Sequence, residues 1–114
     1  MTIYWATSYF LKPEKAGDYQ KWLNSKEAKS ITKSIEKETG FKYLNTYFPI
    51  LGLGEYDVED WMAAPDWASA DKIRGSKGWA KWAEKTWDMI DQSRSFKSRV
   101  MRTAIDVKVF VPKK

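Results

Sequence analysis

Phe41-Lys42-Tyr43-Leu44-Asn45-Thr46-Tyr47-Phe48-Pro49-Ile50, then Leu51-Gly52-Leu53-Gly54, then Glu55-Tyr56-Asp57-Val58-Glu59-Asp60-Trp61-Met62-Ala63: an aromatic β-prone run, a glycine-rich turn and an alternating run form a β-hairpin at the centre of the chain. Helical patterns flank it. Upstream, Pro13, Ala16, Tyr19 and Leu23 make one apolar stripe, and Ala28, Ile31 and Ile35 make a second in a different phase. The change of phase predicts a break near Asn24-Ser25-Lys26, with Ser25 capping a new helix and Gly40 in the left-handed position after it. Before these helices, Ile3 to Lys12 alternates as a strand that Pro13 closes. Downstream, Pro65-Asp66 opens a helical segment that Gly75 ends. Ser76 caps the next helix, with Trp79, Ala83, Thr86 and Ile90 on one face and Trp82 and Trp87 beside it. Arg99 to Val111 is a last strand, stopped by Pro112.

The order is βαββαβ, the split βαβ pattern: an α+β, ferredoxin-like fold with a four-stranded antiparallel sheet and helices on one face. A length of 114 residues fits a single domain, residues 1–114.

Composition narrows the chemistry. The chain has seven tryptophans and six tyrosines but no histidine and no cysteine. This removes imidazole bases, Ser-His-Asp arrangements, thiolate nucleophiles, iron-sulfur clusters, disulfides and histidine-held metals. No metal and no cofactor is expected. The longest apolar run, Phe48 to Leu53, is too short to cross a membrane, and Met1-Thr2-Ile3-Tyr4-Trp5 lacks a basic stretch before an apolar segment, so a cytoplasmic protein without a membrane partner is expected. Net charge is +5, distributed as about +3 over residues 1–50, −5 over 51–66, +2 over 67–90 and +5 over 91–114.

Two faces follow from strand alternation. Tyr4, Ala6, Ser8 and Phe10, with Leu44, Thr46, Phe48, Tyr56, Val58, Met62, Met101, Thr103, Ile105, Val107 and Val109, are assigned to the helices. Trp5, Thr7, Tyr9, Tyr43, Asn45, Tyr47, Asp57, Glu59, Trp61, Arg102, Ala104 and Asp106 fall on the open face. Asp60 lands among the helix-facing apolar residues, which predicts a bulge near it. The rings of the open face form an apolar patch that soluble proteins rarely leave bare, while its charges oppose complete drying. A second copy of the sheet across a symmetric dimer satisfies both.

At this point the chain resembles the dimeric α/β-barrel superfamily, which includes antibiotic-biosynthesis-monooxygenase-like, NIPSNAP-like and stress-responsive barrel proteins. The resemblance covers nearly the whole chain and rests on element order and four segments: Lys12-Pro13-Glu14-Lys15, Tyr19-Gln20-Lys21-Trp22, Gly40-Phe41-Lys42-Tyr43 and Asp66-Trp67-Ala68-Ser69. None is a catalytic signature. It implies a homodimer with a pocket inside the barrel or between sheet and helices. The activities it implies are cofactor-free oxidation, haem degradation, isomerisation or ligand binding. The missing histidine argues against the haem-degrading and histidine-dependent members.

The expected ligand-binding residues are Trp5, Tyr9, Tyr43, Asn45, Tyr47, Asp57, Glu59, Trp61, Arg102 and Asp106, with no catalytic residue assigned. Arg102 would hold an anionic head group, Asn45 and the tyrosines would donate hydrogen bonds, and Trp5 and Trp61 would line an apolar slot. The competing reading of the charged members is an ion-pair network that sets dimer register. Trp79, Trp82 and Trp87 read first as helix packing, with a pocket wall as the alternative. Lys26, Lys29, Lys33 and Lys37 read as a solvated stripe. Gly52-Leu53-Gly54 joins two strands, and Gly75-Ser76-Lys77-Gly78 lacks the glycines of a phosphate loop.

Nucleic acid is not an expected partner, although RNA-recognition motifs share the element order: the segment Glu55 to Trp61 carries four carboxylates, Glu55, Asp57, Glu59 and Asp60, that would repel phosphate. The expected function is a homodimer that binds a small apolar or amphipathic organic molecule. The alternatives are a cofactor-independent oxygenase or isomerase acting on an aromatic or enolisable substrate, and a dimer module without a ligand.

Overall fold

The computed structural model describes residues 2–50 and 54–102. Its strands are β1 (Ile3–Tyr9), β2 (Lys42–Tyr47), β3 (Val58–Ala64) and β4 (Lys97–Met101), and its helices are α1 (Ala16–Leu23), α2 (Lys26–Thr39) and α3 (Lys77–Thr86). Short 3-10 segments cover Pro13–Lys15, Ala68–Gly75 and Trp87–Met89. The part of the last predicted strand from Thr103 onward, with Asp106, lies outside the described residues, as do residues 51–53.

The predicted punctuation is present. Ser25 caps α2, accepting a hydrogen bond from the Ala28 amide at 3.1 Å, and Gly40 follows α2 at φ +78°, a conformation that glycine adopts without a Cβ penalty. Ser76 caps α3 through the Trp79 amide at 3.1 Å. β1 is shorter than expected: it stops at Tyr9, and Leu11 makes an isolated bridge to Ile90 instead.

The described strands form one antiparallel sheet in the order β2-β3-β1-β4. β3 therefore lies between the two strands joined by α1 and α2, which is the ferredoxin-like topology. Apolar residues of α2 and α3, namely Ala28, Ile31, Ile35 and Trp82, cluster over Met62 of β3. Tyr19 of α1 packs with Tyr9, Leu11, Val58 and Ile90, and Ile3, Phe41 and Ala64 close the other end.

The faces differ in part from the sequence reading. Trp5, Thr7 and Tyr9 of β1 point toward the helices: Tyr9 meets Tyr19 edge-on, and Trp5 packs beside Phe41. Ala6 and Ser8 occupy the open face. β4 is inverted in step, because Val100 pairs with Trp5 and Met101 with Tyr4. The reason is volume. Both faces of β1 carry rings, but Ile3, Trp5, Tyr9 and Leu11 fill the space beneath the helices, whereas Ala6 and Ser8 are too small to do so.

β3 follows the predicted parity, and Asp60 does face the helices. The irregularity lies on β2, where the register slips between Tyr43 and Asn45. Tyr43 opposes Met62 and Thr46 opposes Asp60, so both belong to the helix side, while Tyr47 opposes Glu59 on the open face.

α2 and α3 approach closely. A Cβ on Gly78 would stand 2.9 Å from Ile35 Cγ1 and 3.0 Å from the Ile35 backbone nitrogen. The Glu38 carboxylate accepts from the amides of Lys77 at 2.6 Å and Gly78 at 3.0 Å, tying the end of α2 to the start of α3. Desolvation works to raise the Glu38 carboxyl, but these donors hold it below the usual carboxylate range.

Candidate functional site between sheet and helices

Asp60 is the carboxylate around which the site is built. Thr46 Oγ1 donates to its Oδ1 at 2.6 Å, and Tyr9 Oη donates to its Oδ2 at 2.7 Å. Each hydroxyl has a single proton, so the next bond outward has a determined direction. Tyr43 Oη donates to Thr46, and Tyr19 Oη donates to Tyr9. Two arms, Tyr43–Thr46 and Tyr19–Tyr9, thus converge on the carboxylate. Among the described residues, no buried side-chain nitrogen or oxygen lacks a hydrogen-bond partner.

The arms come from four elements. β1 supplies Tyr9, α1 supplies Tyr19, β3 supplies Asp60, and β2 supplies both Tyr43 and Thr46. Regular alternation would send residues 43 and 46 to opposite faces, and the bulge between them brings them to one.

Burial sets the electrostatics. It raises the Asp60 carboxyl to about 6, against the lowering effect of the Thr46 and Tyr9 hydrogen bonds. Burial also raises the Tyr9, Tyr19 and Tyr43 phenols, with the Asp60 charge adding to each shift. These phenols therefore remain protonated donors throughout the neutral range.

Asp60 lines a narrow chamber of about 30 Å³ together with Thr7, Thr32, Ile35, Tyr43, Met62, Trp79 and Trp82. The chamber itself has room for two or three waters at most, since one needs roughly 10–15 Å³. Outside it runs a groove of about 530 Å³ between α1, α2 and β2. Thr32, Tyr43 and Trp82 belong to the walls of both. Lys29, Lys33 and Glu36 of α2 line the groove, and Glu36 accepts from the Tyr43 amide at 3.1 Å. Trp82 is braced by Trp22, ring to ring at 4.8 Å and 72°. An apolar chamber with a few convergent polar groups has the make-up of a small-molecule site.

The residues expected from the sequence divide among several places. Tyr9 and Tyr43 join the Asp60 cluster, and Asn45 lines the groove, its Oδ1 accepting from the Thr46 amide at 2.8 Å. Glu59, Trp61 and Tyr47 lie on the open face. There the Glu59 carboxylate receives Ser8 Oγ at 2.9 Å, Trp61 Nε1 at 2.7 Å and Arg99 Nη2 at 3.0 Å. Trp5 packs beneath the sheet against Phe41 and stacks on Trp67 at 6.1 Å. Asp57 accepts from the Leu11 amide at 3.1 Å, bracing the end of β1. Arg102 follows β4 in a shallow hollow with Ile3, Trp67, Val100 and Met101. The ten expected residues do not form one site, and Asp106 lies outside the described residues.

Asp60, Thr46, Tyr19 and Trp79 were not among them. Asp60 does give a signal in the sequence, a carboxylate in an apolar register, but the irregularity that accompanies it lies on β2 and not in its own strand.

Fold and cluster together define a ferredoxin-like α+β chain with a buried hydrogen-bonded cluster beside an apolar chamber between its sheet and helices. Solved structures share this fold. A NIPSNAP family protein with unknown function from Agrobacterium tumefaciens superposes with a TM-score of 0.66 at 18% identity, covering 90% of this chain and 88% of that one. An antibiotic biosynthesis monooxygenase-like protein from Nitrosomonas europaea gives 0.66 at 8% identity, over 94% of each chain. A dimeric protein of unknown function and ferredoxin-like fold from Bacteroides fragilis gives 0.64 at 4% identity, over 90% of this chain and 96% of that one. These are the groups that the element order pointed to, and at such identities the likeness is one of fold. Neither a protein-family model nor a curated protein matches the sequence.

Proposed function

We propose that this chain binds a small apolar or amphipathic organic molecule in the groove and chamber between sheet and helices. The observation that carries the reading is the Asp60 cluster opening onto a chamber walled by Ile35, Met62, Trp79 and Trp82. Apolar walls supply affinity, and the hydroxyls and carboxylate fix orientation. Lys29 and Lys33 at the groove suit a polar or anionic end.

The test is a thermal-shift screen of fatty-acid and aromatic libraries, followed by titration of tryptophan fluorescence. A ligand at a hundred times its Kd stabilises by about 2.7 kcal/mol, which for a domain of this size raises Tm by roughly 10 °C. Trp79→Arg should abolish that rise. Its persistence in the variant would move the site elsewhere, and no stabilising compound would remove the reading.

The same reading includes a homodimer formed through the open face of the sheet. It is supported by Tyr47, 53% exposed beside Glu59 and Trp61, and by the dimer of the Bacteroides fragilis protein. The enzymatic alternative, a cofactor-independent oxygenase or isomerase, is favoured by one observation: a carboxylate lining an apolar chamber.

A further inference from the structure

We infer that the groove and chamber take a primary monoamine with an apolar body, its ammonium group set against the Asp60 carboxylate beside Tyr43, Trp79 and Trp82. The inference rests on the pocket reading above and names its ligand class.

The hydrogen bonds that Asp60 receives come from hydroxyls. Thr46 and Tyr9 fill two of the roughly four lone-pair positions of its carboxylate. The ion pairs among the described residues, Lys15–Asp18, Lys85–Glu27 and Arg99–Glu59, leave it out. The neighbouring hydroxyls have spent their protons elsewhere. Tyr43 donates to Thr46, and Thr32 Oγ1 donates to the Ala28 carbonyl at 2.9 Å. Thr7 shares a 3.4 Å bond with Ser98 Oγ in which either can donate, so it too has a lone pair to offer.

A negatively charged chamber edged with acceptors calls for a donor that carries positive charge. An ammonium group supplies three N–H donors and neutralises a carboxylate whose burial is costly while it stays unpaired. The walls favour the same group. Rings of Tyr43, Trp79 and Trp82 line the chamber, and aromatic faces attract cations. A space of about 30 Å³ suits a primary ammonium, which is close to a water in size, better than a trimethylammonium group.

The groove restricts the other end of the ligand. Lys29 and Lys33 line it and enter no ion pair among the described residues, so a second cationic group would meet like charge. Glu36, the other carboxylate of the groove, sits on α2 with these lysines and accepts from the Tyr43 amide at 3.1 Å. Tyr9, Tyr19 and Tyr43 face Asp60 from β1, α1 and β2 as protonated phenols, and α3 brings Trp79 and Trp82 without charge. Amine binding therefore follows the ionisation of Asp60, which burial places at about 6.

The test titrates octylamine, 1-octanol, 1,8-diaminooctane and octyltrimethylammonium at pH 7.5, by tryptophan fluorescence and by calorimetry. Octylamine should bind at least about tenfold more tightly than each of the other three. Asp60→Asn should remove that preference, weakening octylamine about tenfold or more and octanol less than about threefold. Lowering the pH to 5 should weaken octylamine about tenfold, because roughly nine-tenths of Asp60 is then protonated, and leave octanol unchanged. Circular dichroism establishes that the variant is folded; if it is not, the pH comparison on the unaltered chain decides. Equal affinity for any of the other three compounds overturns the ligand class while leaving the pocket intact. So does an amine preference that survives Asp60→Asn, or an amine affinity that is the same at both pH values. Binding by none of the four overturns it too, and the pocket reading is then decided by the library screen alone.

Discussion

Asp60 is held where its charge is costly. Burial raises its carboxyl from an ordinary value of 3.8 to about 6, so between those values the folded chain keeps a proton that the unfolded chain has released. Folding stability therefore increases as pH falls from about 7 toward 4.5, by something on the order of 2–3 kcal/mol. Below that window the opposite sign takes over. Glu27, Glu38, Asp66 and Asp91 are held below their usual values, and what they contribute is lost as they protonate. Calorimetry should find Tm higher at pH 5 than at pH 7.5, and Asp60→Asn should flatten that difference. An unchanged slope in the variant would assign it to other groups. At this scale the sequence was legible as an anomaly: Asp60 stood in an apolar register. What could not be read was the ring of hydroxyls that makes such a position tolerable, because Tyr9, Tyr19 and Tyr43 come from three distant segments.

At the scale of elements, the Gly78 contact sets how closely α2 and α3 can lie. Alanine there gains helix propensity of up to about 1 kcal/mol, but its methyl would sit 2.9 Å from Ile35 Cγ1 and against the Ile35 backbone. A side-chain rotation cannot relieve the backbone contact. Gly78→Ala should cost a net 1–3 kcal/mol in urea denaturation and alter the emission of Trp79 and Trp82, which follow it on α3. Boundaries were largely legible here. Ser25, Gly40 and Ser76 mark their helix ends because capping is local chemistry. The faces of β1 and β4 were not, because rings occur on both sides of β1 and only the volume under the helices decides between them. The β2 slip carries no glycine or proline to announce it.

For the whole molecule, the sheet separates two environments. One face holds the chamber; the other presents Tyr47, Trp61 and the Glu59–Arg99 pair at 3.0 Å. Because Glu59 already has three donors, covering this face strands no unpaired carboxylate at its centre. Light scattering should therefore give a dimer, and Tyr47→Glu, which adds a charge beside Glu59, should shift it to the monomer by at least tenfold in dissociation constant. A monomeric parent would assign the exposed rings to another partner. The two faces are also linked through the slip in β2. Removing Leu44 alone would set Tyr43 and Thr46 two places apart, so strict alternation would keep both on the helix side and the pairing of Tyr43 with Met62 and of Asn45 with Trp61 would stand without the slip. The slip thus lets β2 carry one residue more than its partner without turning Tyr43 toward Tyr47, so the cluster depends on the parity of the strand and a single-codon deletion at Leu44 should leave both arms connected.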